Sequence, residues 1–170
     1  MDTAHSAHVI VGVMPGQPDA VVLEAVVFAA RFGGDLVCAS VDVTRQAVSE
    51  TADGGVTSVP YDLDLPRLEE AREFDPELAA HLATVLAGSG VAWSTRALAG
   101  DAAEALGQLA TTLDAAMIVI GTRDPGLRGT LHEIFEGSVA AHLAHRQHRP
   151  VVVIPINPVP FEETLPRASV

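Results

Sequence analysis

The sequence predicts an α/β protein built on an open, mostly parallel sheet of five strands with helices on both faces. Three observations carry that expectation. Short β-branched runs alternate with helical stretches in the order β-α-β-α-β-α-β-α-β. Hydrophobic residues make up 48% of the chain but aromatics only 4%, so the core is built from Ala, Val, Leu and Ile, which suits helices laid on a parallel sheet. A length of 170 residues fits one ordinary domain that can bury a sizeable core.

Taken in order, HVIVGV (8–13) is a short β-branched run that ends in the turn-forming MPGQPDA and so reads as a strand leading into a helix. The helix AVVLEAVVFAARF follows, with Gly33-Gly34 as its stop, and DLVCASVDV (35–43) is the second strand. Residues 44–74 have a different texture of acids, Gly, Pro and small polar side chains. They read as a long acidic surface excursion with room for one helical turn. Regular structure resumes at DPELAAHLATVLAGSG, where Asp75 can cap and Pro76 can take the first helical position. VAWSTRALAG (91–100) is the third strand, Asp101 caps the helix after it, and AMIVIG (116–121) is an apolar fourth strand suited to the sheet centre. GSVAAHLAHRQH then reads as a helix and PVVVIPI (150–156) as the last strand. The domain is expected over residues 1–156, with 157–170 as a Pro-rich tail.

Charge narrows the functions available. With 22 acidic against 10 basic residues the chain has a formal net charge of −12, a field that repels nucleic-acid backbones and anionic membranes, so neither is an expected partner. All ten basic side chains are arginine, which removes the lysine that a Walker A loop requires. The single cysteine, Cys38, has no intramolecular partner and lies in the second strand, where a buried core role is expected. The start lacks a basic region followed by a long apolar run, and the most apolar stretches are broken by charge. Together these predict a soluble, cytoplasmic protein.

Against that acidic background the stretch GTRDPGLRGTLHEIFEGSV (121–139) concentrates glycine and arginine directly after the fourth strand. Ligands in open α/β sheets sit at the carboxyl ends of strands, where helix N-termini also converge. Backbone N–H groups at Gly126, Gly129 and Gly137 can approach a phosphate closely, and Ser138 can donate a hydroxyl. Arg123 and Arg128 can add charge-assisted contacts.

The GD followed by AAEAL (100–106), AMIVIGTR (116–123), the Gly-rich turn, GSVAAHLAH (137–145) and RPVVVIP (149–155) together resemble a universal stress protein domain of the single-domain type. The similarity covers most of residues 8–155 and leaves out the acidic excursion and the tail. It implies a Rossmann-like fold akin to the adenine nucleotide alpha hydrolases, a homodimer formed through residues 150–156, and a subclass that holds ATP or AMP, with or without Mg2+. That subclass uses Gly, two residues, Gly, nine residues, then Gly-Ser or Gly-Thr. Gly121 and Gly137-Ser138 match the ends of the pattern, but the interval is three residues longer and Asp124 stands at the second glycine, with Gly126 nearest to it. The resemblance also implies an aspartate after the first strand, where this chain has Met14, and an apolar residue lining the base, here Val41.

Other constellations read as structural. His142, His145 and His148 recur every three residues, yet the spacing drifts around a helix, and histidine near a helix C-terminus more often complements its negative end. His132, Glu133 and Glu136 read as solvated residues of the turn, and Trp93 as a packing residue. No nucleophile elbow, paired carboxylates or Cys/His constellation points to catalysis. Two readings follow. In the first the chain binds an adenine nucleotide as a regulatory ligand, with slow ATP hydrolysis as a lesser possibility; in the second it binds none and acts through protein contacts, with the acidic excursion as a docking surface.

Overall fold

A computed structural model describes residues 7–62, 70–122, 139–156 and 158. Five strands form the main sheet: β1 (His8–Gly12), β2 (Asp35–Asp42), β6 (Trp93–Ala99), β7 (Met117–Gly121) and β8 (Val151–Ile154). Their order is β6-β2-β1-β7-β8, and every pairing is parallel, with Val9 opposite Leu36 on one side and Met117 on the other. The expected α/β architecture is therefore present. The apolar fourth run lies inside the sheet, as its lack of polar alternation predicts.

Strand periodicity divides the core into two layers. Val9, Val11, Leu36, Cys38, Met117 and Val119 face α1 (Ala20–Phe32) and α2 (Pro76–Val85). The alternate residues Ile10, Val37, Ala39, Leu98, Ile118 and Ile120 face α3 (Ala102–Thr112) and α4 (Val139–Arg146). Cys38 is completely buried, and loss of solvent pushes its thiol up to about 12, so it stays protonated as a core residue. Trp93 is partly buried against the α1/α2 layer.

The helix boundaries follow local chemistry. Asp75 accepts hydrogen bonds from the N–H groups of Glu77 and Leu78, with Pro76 opening α2, and Asp101 accepts from Glu104 N–H at the start of α3. α1 stops at Gly33, in the left-handed region at φ 62°. Asp19 does not cap α1 with its side chain; its Oδ1 meets His81 Nε2 at 2.7 Å, tying the start of α1 to α2. Among the described residues no helix is long and apolar enough to cross a membrane.

The region from 44 to 74 departs from the expected irregular excursion. It folds as a second, antiparallel sheet of β3 (Arg45–Glu50), β4 (Val56–Pro60) and β5 (Glu70–Ala71), in that order. Residues 70–71 pair as a strand with Ser58 and Thr57, while residues 63–69, where a helical turn would have room, lie outside the described residues. The physical cause is a turn with its own hydrogen bonds. Thr51 N–H donates to Gly55 O at 2.8 Å, Gly54 N–H to Thr51 O at 2.9 Å, and the Thr51 hydroxyl to Asp53 at 2.6 Å. The hairpin then docks on the main domain: Val56 joins the α3/α4 layer, Arg96 Nε donates to Asp53 O at 2.8 Å, and Thr112 donates to Glu50 at 2.6 Å.

Candidate functional site

The strand order makes β1 and β7 neighbours whose onward connections lead to opposite faces, α1 to one and α4 to the other. A crevice opens at such a switch point, outside the carboxyl ends of the strands. Gly121, the last residue of β7, sits at this point. A Cβ there would lie 2.8 Å from Ile156 Cδ1 and 3.0 Å from both Gln17 Nε2 and Val21 Cγ2, so any larger residue would have to displace the side-chain ends of three segments. Thr122 completes the junction, donating its N–H to Ile154 O and accepting from Ile156 N–H on its hydroxyl, both at 2.9 Å.

Met14 follows β1 on the same rim and is 63% exposed. Val41, near the end of β2, is half-buried and packs on the α3/α4 layer. Met14, Val41 and Gly121 thus all stand at carboxyl ends of strands. Arg123, Gly126, Arg128, Gly129, Gly137 and Ser138 lie outside the described residues, as do His132, Glu133 and Glu136. His142 and His145 are on α4 and His148 lies beyond its end. Among the described residues no three His, Cys, Asp or Glu side chains are grouped to hold a metal ion.

A cleft of about 290 Å3 opens on the rim, lined by Val43, Tyr61, Gly100, Asp101, Ala102, Ala103, Val139 and His142. It gathers the ends of β2 and β6, the start of α3, Val139 and His142 of α4, and the residue that follows β4. The Asp101 carboxylate lies in its lining and already accepts from Glu104 N–H, so the start of α3 is capped from within the chain. A larger groove of about 520 Å3 runs along α3 and the end of α4, past Glu50, Glu104, Gln108 and Arg146. It lies away from the strand ends, and its two carboxylates disfavour an anionic ligand.

A carboxylate holds the edge of the rim in shape. Asp42, the last residue of β2, accepts from Thr44 N–H at 2.9 Å and from the Thr44 hydroxyl at 2.6 Å, and pairs with Arg72 at 3.3 Å. Desolvation pushes its pKa up, but the Thr44 hydrogen bonds and the Arg72 and Arg45 charges outweigh it and leave it below the ordinary value of 3.8. Arg45 donates from Nε to Ser58 Oγ and from Nη2 to Ser58 O, each at 2.8 Å, which satisfies the fully buried Ser58.

Sequence reasoning missed Val43, Tyr61 and the start of α3 as cleft residues, and it weighed His142 as a metal ligand or a complement to a helix C-terminus. One signal was available: Asp53-Gly54 between β-branched runs is a hairpin signature, and a hairpin returns the chain to where it left β2.

This arrangement, a doubly wound sheet with a ligand rim at the carboxyl ends of its strands, defines a ligand-binding α/β domain. The model of the universal stress protein family matches residues 6–155, and the chain belongs to that family. No curated protein sequence matches it significantly. Among solved structures it is similar to a universal stress protein in complex with cAMP, at 19% identity and a TM-score of 0.58 over 89% of this chain and 98% of that one. A universal stress protein from Archaeoglobus fulgidus in complex with dAMP is 15% identical, with a TM-score of 0.52 over 86% and 96%. A family protein from Arabidopsis thaliana with AMP bound is also 15% identical, with a TM-score of 0.50 over 89% and 92%.

Proposed function

We propose that this chain binds an adenine nucleotide, ATP or AMP, as a regulatory ligand at the carboxyl rim of its sheet. The observation that carries the reading is that Met14, Val41 and Gly121 stand at the carboxyl ends of the three adjacent strands β1, β2 and β7. The similar structures with cAMP, dAMP and AMP support the ligand class. In this reading Gly121, Gly126, Gly129, Gly137 and Ser138 hold phosphates, Arg123 and Arg128 contribute charge, and Met14 and Val41 line the base. Calorimetric titration of the nucleotide-free protein with AMP, and with ATP plus Mg2+, tests it. Micromolar binding that Arg128→Ala and Gly137→Asp abolish is expected; absence of heat, with no retained nucleotide, overturns it. Phosphate release from ATP above that of a Ser138→Ala control would convert the regulatory reading into a slow hydrolase.

The same proposal has the chain working as a cytoplasmic homodimer joined through residues 150–156. β8 is an edge strand of the main sheet and Val153 on it is 42% exposed, which suits pairing with a second copy. Light scattering at micromolar concentration is expected to give the dimer mass, and a monomer removes this part. A second reading, contact with a partner protein and no nucleotide, is favoured by Met14, an exposed thioether where nucleotide-binding members are expected to carry a carboxylate.

A further inference from the structure

The turn after β1 places a polar side chain at the switch point. Met14-Pro15-Gly16-Gln17 has proline second and Gly16 third at φ 77°, and Gln17 N–H donates to Met14 O at 3.2 Å, the arrangement of a type II turn. The turn is held at both ends. Val13 N–H donates to Ala39 O of β2 at 2.8 Å, and Val21 N–H donates to Pro18 O at 3.3 Å as α1 begins. Gln17 is half-buried, and its Nε2 lies 3.0 Å from where a Cβ on Gly121 would sit, so the side chain reaches from the turn to the end of β7. Its carboxamide has no hydrogen-bond partner among the described residues, which leaves its donors and its acceptor available at the crevice. The carboxylate two residues on, Asp19, is already committed to His81 Nε2 at 2.7 Å.

We infer that Gln17 reads the sugar of the bound nucleotide, its carboxamide hydrogen-bonding the 2′-hydroxyl of the ribose. The inference rests on the nucleotide reading above and adds a polar contact between the two ends of the ligand. In that reading Met14 and Val41 line the base and Gly121 begins the phosphate cradle. Gln17 is joined to Met14 by the turn bond and reaches Gly121 with its amide, so it stands between base and phosphate, where the sugar lies. A carboxamide both donates and accepts, and so does a hydroxyl, which makes the pair complementary in either direction. Gln17 thereby supplies the polar contact that the Met14 thioether cannot make. It does so without charge: in a chain of net charge −12 a carboxylate beside the phosphates would add repulsion, and a neutral amide adds none. Such a contact discriminates between ligands, because one that lacks the hydroxyl leaves the amide unpaired.

The full nucleotide-free chain is titrated by calorimetry with AMP, 2′-deoxy-AMP and IMP, alongside Gln17→Met, which keeps the reach of the side chain without its amide, and Gln17→Ala. The readout is the ratio of dissociation constants for two ligands on one sample, so a partly unfolded variant still reports. The expected result is that AMP binds the unaltered chain about tenfold more tightly than 2′-deoxy-AMP does. Both variants bring that ratio close to unity by weakening AMP and leaving 2′-deoxy-AMP unchanged. The ratio of AMP to IMP, which differ only in the base, stays the same throughout. If the unaltered chain binds AMP and 2′-deoxy-AMP equally, or if the variants keep the preference, the sugar contact is refuted and the nucleotide reading survives. A changed ratio of AMP to IMP in the variants also overturns it, because Gln17 would then read the base. If neither AMP nor ATP with Mg2+ binds the unaltered chain, the nucleotide reading falls and takes the sugar contact with it.

Discussion

The two halves of the carboxyl rim are built on opposite principles. At the switch point, Gly121, Thr122, Gln17 and Ile156 close in on one another, so a side chain on residue 121 would have to displace its neighbours. On the α3 side an added hairpin stands over the ends of β2 and β6 and leaves a cleft with exposed Val43 and Tyr61. The first half is shaped by the parallel sheet, the second by the antiparallel sheet of residues 45–71. The antiparallel sheet needs only a docking face and a few fixed hydrogen bonds to stand beside the parallel one.

The comparison can be broken most strongly from beneath the hairpin. Leu109 is 1% exposed in the α3/α4 layer, and its Cδ1 lies 2.4 Å from where a Cβ on Gly54 would sit, so it supports the hairpin tip. Leu109→Ala should cost about 3 kcal/mol in denaturant unfolding and raise amide exchange in residues 45–60 more than in β1. Equal exchange in both regions would mean that the hairpin stands without α3. Gly121→Val strikes the other half. Its side chain would press on Ile156, Gln17 and Val21, for about 1–3 kcal/mol, with exchange rising at β7 and β8 and not in the hairpin.

Asp101→Ala removes the cap of α3, which borders the cleft, and should cost about 1 kcal/mol in the same assay. The smallest effect is the sharpest in location. Asp42 has a depressed carboxyl pKa, so its contribution is fully present above its unfolded value near 3.8 and fades as pH falls through the lower folded value. Below about pH 4 the amides of residues 44–60 should therefore lose exchange protection before those of the main sheet, and Asp42→Asn should remove that acid dependence. Simultaneous loss everywhere would show that Asp42 does not hold the hairpin in place.

Element by element, what was legible was what neighbouring residues decide. Asp75-Pro76 and Asp101 announce helix starts because a carboxylate within reach of the next N–H groups satisfies them locally, and Gly33 ends α1 for an equally local reason. The apolar texture of β7 announced an interior strand. The hairpin was illegible for a compositional reason: its acids, glycines and small polar residues resemble a solvated loop, and β3 is exposed along nearly its whole length, so no buried face imposes a period-two signature. Gly121 stood out in the sequence because the phosphate pattern begins there, whereas Tyr61 carried no local mark of its place in the cleft.

By itself the sequence determined the alternation of strands and helices, the caps, the buried thiol of Cys38 and the family, since each depends on side chains interacting with their own backbone or on a motif order written along the chain. Only the tertiary structure decided the strand order β6-β2-β1-β7-β8, the antiparallel sheet over β6 and α3, and the meeting of Val43, Tyr61, Gly100, Asp101 and His142 in one cleft. Those depend on contacts between segments far apart in the chain, and their free energy appears only when burial of the α3/α4 layer has brought them together.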